Sequence, residues 1–346
     1  MRFNDRLRGH FLHCRSATLC LVILALCADV ARCQADRLPA RGANTREDRD
    51  LKEWLEEGDV LKCLPASKRL MEVLQRAKKI TPDMSDKEAI NALGPDATRR
   101  ARRQRDAVAA LRKKIAWIYY GWEPLAEQVF GRGIRGKDSP EGPPVPDWLL
   151  KRLGDEYFQE VVAIGMDGLR ENELTKYAPL LKSFPALQRL ALHRLKISDE
   201  GLKSVVRSCP NLKWLSLSLT DVTDRQLVVL QKLPRLETLV LEGTRRITGE
   251  GLGHLRGCKK LHTLSIADTN LGDDAMEQVG RLQTLRVLYI GRTKVGPRGL
   301  SALAPLRKLT WLDVEQLRLA SAQVKAFVKS HPDCMVMGRL IDPANK

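Results

Sequence analysis

The six histidines, at positions 10, 13, 193, 254, 262 and 331, are the side chains best suited to move protons or hold a metal near neutral pH. None belongs to an H-E-x-x-H pair, which would place two metal ligands on one helical face. The chain also lacks a G-x-S-x-G nucleophile turn, a complete G-x-x-x-x-G-K-[ST] phosphate loop (Asp138 follows Gly131 to Lys137) and a C-x-x-C pair. Gly131, Gly133 and Gly136 satisfy G-x-G-x-x-G formally. A dinucleotide site needs a strand before that motif and a helix directly after it, whereas here four prolines follow within ten residues. Asp268, Asn270, Asp273 and Asp274 crowd one loop, but their spacing is not that of a calcium loop, and carboxylates at a helix start explain them. No catalytic set, metal or cofactor is expected, and the reading is of a non-enzymatic protein.

Two stretches carry binding chemistry. Arg99, Arg100, Arg102, Arg103 and Arg105 form the densest basic run of the chain, a candidate anion-binding patch whose alternative is a solvated helix face. Trp117, Tyr119, Tyr120 and Trp122 fall within six positions; they suit a ligand platform, or more simply the core of a helical bundle.

The element that positions everything after residue 160 is a repeat. Leu187-x-x-Leu190-x-Leu192 recurs as Leu212/Leu215/Leu217, Leu236/Leu239/Leu241, Leu261/Leu264/Ile266, Leu285/Leu288/Ile290 and Leu309/Leu312/Val314. The first leucines are spaced 25, 24, 25, 24 and 24 residues apart. Val161, Ile164 and Met166 supply a degenerate copy one period earlier, giving about seven units. Each unit reads as a short strand with one buried face followed by a helical half. Ser198, Thr223 and Thr248 are placed as helix N-caps, with Asp199, Asp224 and Glu250 near the positive helix ends. Thr220, Thr244, Thr269 and Thr293 form a column after the strands, read as hydroxyls bonding loop backbone. A single unit cannot bury its own leucines, so the units stack into an α/β solenoid.

Side chains alternate along a strand, so the residues flanking the repeated leucines point away from the core. On that concave face the expected protein-binding residues are Arg189, His193, Trp214, Glu242, Tyr289, Trp311, Asp313 and Glu315. Trp214, Tyr289 and Trp311 lead the set because aromatic anchors dominate binding hot spots.

The units with Cys209-Pro-Asn-Leu and Cys258-Lys-Lys-Leu, together with Ile197-Ser-Asp, Val222-Thr-Asp and Ile247-Thr-Gly, resemble the cysteine-containing leucine-rich repeats of ribonuclease inhibitor and F-box substrate receptors. The stretch from Trp148 to Val162 looks like that of predicted exported bacterial repeat proteins. The resemblance implies a horseshoe whose concave sheet binds another macromolecule.

Arg2, Arg6, Arg8 and Arg15 precede an apolar run from Ala17 to Ala28, and small residues recur at Ala31, Cys33 and Ala35. This is the pattern of an export signal with a cut near 33–35; the apolar run is short of the ~20 residues of a stable membrane span, and an uncleaved anchor is the alternative. Cys209 and Cys258 share a column two units apart, near ~10 Å if strands stack at ~4.8 Å, beyond bridging range; both read as core thiols, and a link from Cys63 stays open. The expected organisation is a signal over 1–35, a disordered segment over 36–50 and helices over 51–130. A Gly/Pro-rich linker over 131–146, a cap over 147–160, repeats with a closing unit over 161–338 and a tail over 339–346 complete it. The net charge of +17 divides as +3 over 1–35, +4 over 36–150 and +10 over 151–346. The excess is spread along the solenoid, which favours solubility and loose attraction to anions. The leading expectation is an exported scaffold with a protein partner. A cytosolic F-box-like adaptor, or a binder of anionic polymer or membrane surface, is the alternative; nucleic acid is not an expected partner.

Overall fold

The computed structural model describes residues 68–112, 117–120, 145–167, 169–170 and 173–338. Nine strands form one sheet in strict chain order. They are β1 (Trp117–Tyr120), β2 (Val161–Gly165), β3 (Arg189–Ala191), β4 (Trp214–Ser216) and β5 (Thr238–Val240), then β6 (Thr263–Ser265), β7 (Val287–Tyr289), β8 (Trp311–Asp313) and β9 (Met335–Met337). From β2 to β9 all pairings are parallel, and the central leucines are in register: Leu190, Leu215, Leu239, Leu264, Leu288 and Leu312. The fold is a stack of leucine-rich repeats. The degenerate copy at β2 takes its place in the register, with Ile164 beside Leu190.

The segments between strands lie on the leucine side. They contain α-helical or 3-10 turns, among them α6 (Asp199–Ser208), α7 (Asp224–Leu227), α8 (Asp273–Val279), α9 (Pro297–Ala302) and α10 (Ser321–Ser330), with a 3-10 stretch over Glu250–Gly257. Earlier helices are α1 (Lys68–Ala77), α2 (Asp86–Leu93), α3 (Pro95–Arg112), α4 (Asp147–Leu153) and α5 (Glu173–Tyr177). Leu202 and Val205, then Leu227 and Leu230, Leu252 and Leu255, Met276 and Val279 continue the strand leucines into one buried cluster. Each such side chain contributes about 2 kcal/mol by leaving water, so the stack is stable only as a whole.

The threonine column behaves as its position predicts. Thr220 Oγ1 donates to Leu217 O at 2.6 Å, Thr269 to Ile266 O at 2.6 Å and Thr293 to Ile290 O at 2.7 Å, while Thr244 bonds Leu241 O in the same way. Directly before it runs a column that the sequence does not announce. Arg194, Leu219, Asp268, Arg292 and Gln316 all have positive φ, between 54° and 58°, and Gly243 has φ 68°. The first five of these turns in chain order reverse the chain while their N–H groups reach the next unit: Leu219 N donates to Glu242 O at 2.8 Å and Arg292 N to Glu315 O at 2.7 Å. The ladder holds these residues in a conformation that non-glycine side chains avoid.

Two sequence expectations need correction. Ile118 lies in β1, which pairs antiparallel with β2 and covers the first edge of the parallel sheet. The aromatic stretch Trp117–Tyr120 is therefore strand and not helical-bundle core, in keeping with the strand preference of aromatic and β-branched residues. In segment 147–160, expected as the cap, Leu149, Leu153, Tyr157 and Phe158 share one core with Leu70, Leu74, Leu93 and Ala101 of the first three helices. Thr248 does not cap a helix; Gly249 holds that place at φ 112°, and Thr248 bonds Asp224 instead. Ser198 does accept from Gly201 N at 3.1 Å, and Ser85 with Glu88 forms a full capping box on α2.

Helix α3 ties the two parts together. Ala97 and Ala101 sit in the first core, while Ala107, Val108 and Leu111 belong to the repeat core. The expected export signal, the disordered segment, Cys63, Trp122 and the glycine motif at 131–136 lie outside the described residues.

Candidate interaction face

Pairing register sets the face opposite the leucines. Its first column is Arg189, Trp214, Thr238, Thr263, Val287 and Trp311, and its second is Ala191, Ser216, Val240, Ser265, Tyr289 and Asp313. The third, just past the strands, is His193, Ser218, Glu242, Ala267, Gly291 and Glu315. Strand alternation predicts these directions correctly, but direction is not accessibility. Arg189, His193, Trp214, Trp311 and Glu315 are half-buried, whereas Tyr289 is only 4% exposed, Asp313 4% and Glu242 2%. Tyr289 packs with Ala267 and Val287, and Trp311 lies against that cluster. Tyr289 is thus the floor of an apolar patch rather than a projecting anchor, and Trp311 is its accessible wall. Trp214 stands apart from that cluster, in the first column of β4.

Hydrogen bonds order the first units. His193 Nε2 lies 2.9 Å from Ser216 Oγ, which in turn lies 2.9 Å from Ser218 Oγ. Burial, with the Arg194 charge beside it, brings the His193 pKa down to about 4, so the imidazole is neutral at physiological pH. At the other end Asp313 Oδ1 accepts from Glu315 N at 3.2 Å. Burial pushes the Asp313 carboxyl up to about 6; the backbone N–H of Glu315 opposes this, and the Glu315 charge adds to it. Burial likewise raises the Tyr289 phenol, with the nearby Asp313 contributing.

The basic run on α3 is divided among several tasks. Arg99 pairs with Asp96 one turn away, and Arg105 Nε lies 3.4 Å from Glu156. Arg100 reaches Glu160 at 3.1 Å and the carbonyl of Tyr157 at 2.6 Å, fastening the segment that leads into β2. Arg102 and Arg103 are exposed. Three of the five arginines therefore hold internal partners, and the helical period spreads the rest. The thiols of Cys209, Cys258 and Cys334 are free and buried, with pKa values pushed up by desolvation to about 12, 11 and 12. Among the described residues no group of three His, Cys, Asp or Glu side chains is placed to hold a metal ion. None of the described helices is long and apolar enough to cross a membrane.

The family model of leucine-rich repeats matches residues 281–304, the unit built around β7 and α9. Among solved structures, internalin C2 of Listeria monocytogenes is similar over 53% of this chain and 75% of its own, at 20% identity and a TM-score of 0.40. An internalin F of the same organism is similar over 56% of this chain and 57% of its own, at 15% identity and a TM-score of 0.37.

Proposed function

We propose that the protein is an exported, non-enzymatic scaffold that binds another protein on its open sheet face, the concave side of a horseshoe of about seven units. The apolar patch of Ala267, Val287 and Tyr289 walled by Trp311 carries this reading. Aromatic side chains held rigidly on a backbone-satisfied sheet lose little entropy on binding and suit a partner's apolar side chain. The buried thiols of Cys209 and Cys258 agree with the cysteine-containing subfamily.

Trp311→Ala and Trp214→Ala are the test, with capture of envelope proteins as the readout and circular dichroism as the control for folding. Loss of about 2 kcal/mol or more in either variant is the expected result. Undiminished capture by both, in folded protein, moves the site off this face. Export is checked separately: mass spectrometry of cell fractions should find a mature N-terminus near residues 34–36, and an intact Met1 in the cytosol would contradict it.

A further inference from the structure

The loops that lead from each helical half into the next strand emerge along one edge of the sheet. Their backbones stack directly: Glu237 N donates to Lys213 O at 2.8 Å, His262 N to Glu237 O at 2.9 Å, Arg286 N to His262 O at 2.8 Å and Thr310 N to Arg286 O at 2.8 Å. The side chains of these loops are stacked in the same order. Lys232 and Arg235 are exposed in one unit, Arg256, Lys259 and Lys260 in the next, and Arg281 and Arg286 in the third. Among the described residues none of these seven enters an ion pair. Between Lys213 and Lys308 the edge carries one carboxylate, Glu237, which stands 3.8 Å from Lys213 and 4.0 Å from His262. The opposite edge differs: Arg225 pairs with Asp199, Arg246 with Asp221 and Arg298 with Asp274, at 3.8, 3.8 and 3.0 Å. Because carboxylates are plentiful on that edge, the net positive charge of these units collects on the first one, although in the sequence it looks evenly spread.

A cleft of about 230 Å³ opens on this edge between two units. Arg256 and Lys259 enter it from one unit and Arg281 from the next, with Gln283 and Thr284 beside them and Leu255, Leu261 and Leu282 behind. Three cations without carboxylate partners around one recess suit a single anionic group.

We propose that this edge binds a linear sulfated polysaccharide, one sulfate seated in the cleft and others along the stacked cations. The stacked loops carry these cations from unit to unit along one edge, which fits a thin polymer better than a membrane surface. Single-stranded nucleic acid is bound through stacked aromatic side chains, and no Trp, Tyr or Phe lies in the edge loops from Lys232 to Arg235, Arg256 to His262 or Arg281 to Arg286. Individual surface contacts are weak, but a polyanion releases one set of counterions per cation it covers, so several contacts sum. This site is separate from the open sheet face, and its test is independent of partner capture there.

The test uses the full chain and a heparin-derived oligosaccharide of defined length, titrated calorimetrically at several salt concentrations. Replacing Arg256, Lys259 and Arg281 by glutamine should weaken binding at least about 10-fold and flatten the dependence on salt. Replacing Arg225, Arg246 and Arg298 by glutamine removes the same charge from the opposite edge and should change affinity less than about twofold. Circular dichroism confirms folding; if the first variant misfolds, Lys259→Gln with Lys260→Gln, both exposed, gives the same reading. Equal losses in the two triple variants would overturn the proposal, as would no binding by the unaltered chain. Tighter binding of single-stranded DNA or phosphatidylglycerol vesicles than of the oligosaccharide would do the same.

Discussion

The carboxyl of Asp313 occupies the place where Gly291 would carry a side chain: a Cβ built on Gly291 would stand 2.6 Å from Asp313 Oδ2 and 2.9 Å from Glu315 Cβ. The two residues face each other across adjacent units of the open sheet. The φ of Gly291 is not in the left-handed region, so the missing Cβ, and not backbone freedom, is what this glycine supplies.

Gly291→Ala should therefore destabilise the protein by about 1–3 kcal/mol through overpacking. Urea denaturation measures it. A variant as stable as the parent would mean that Asp313 swings clear at no cost.

Asp313 should also impose a pH dependence. Its folded pKa of about 6 lies above the ordinary 3.8, so the native state binds the extra proton between these values. Stability from this group is greatest below about pH 4 and declines as pH rises to about 6, after which the penalty is constant. The stability of Asp313→Asn relative to the parent should accordingly rise by about 2–3 kcal/mol between pH 4 and pH 7. A difference that stays flat across this range would show that Asp313 titrates normally.

Asp224 works in the opposite sense. Its carboxylate accepts from Thr248 N at 2.8 Å, Thr248 Oγ1 at 3.0 Å, Gly249 N at 3.1 Å and Gly251 N at 2.7 Å, all in the following unit. Burial alone would raise its pKa, but these donors outweigh it and the pKa is lowered. Asp224→Ala should cost about 2–3 kcal/mol at pH 7 by leaving those donors unpaired. That difference should shrink as pH falls through the lowered pKa. Thermal melts of both proteins at neutral and acid pH decide it.

Leu219 is 43% exposed and held at φ 58°, so it spends conformational energy for little burial. Leu219→Gly should stabilise the fold by about 0.5–1 kcal/mol, because glycine adopts this conformation without a Cβ penalty. A loss of stability would show that Leu219 packing over Gly243 outweighs the strain.

The repeat was legible because the constraint is written in every copy: a branched aliphatic residue at each buried position, from Leu187 to Val314. The left-handed column was not, because Arg194, Leu219 and Arg292 carry no turn signal; hydrogen bonds to the next unit impose their conformation. β1 was misjudged because Trp117–Tyr120 finds its partner about 45 residues later, at β2. For the candidate face, period-two alternation gave the direction of Tyr289 correctly, yet its neighbours Ala267 and Val287 come from other units and decide its exposure. The cationic edge escaped notice for a related reason: residues 24 or 25 positions apart become neighbours only after stacking.

Helix α3 has a consequence for how the molecule comes apart. In a linear array, units can peel from either end at a cost set by one interface. Here the first end is locked, because Val108 and Leu111 cannot leave the repeats without pulling on the helix that also carries Ala97 and Ala101. At the far end, among the described residues, β9 joins only β8, and Val336 and Met337 are partly or largely exposed. Opening should therefore be directional: amide protons of β9 exchange first, and those of β2 and α3 persist until the whole chain unfolds.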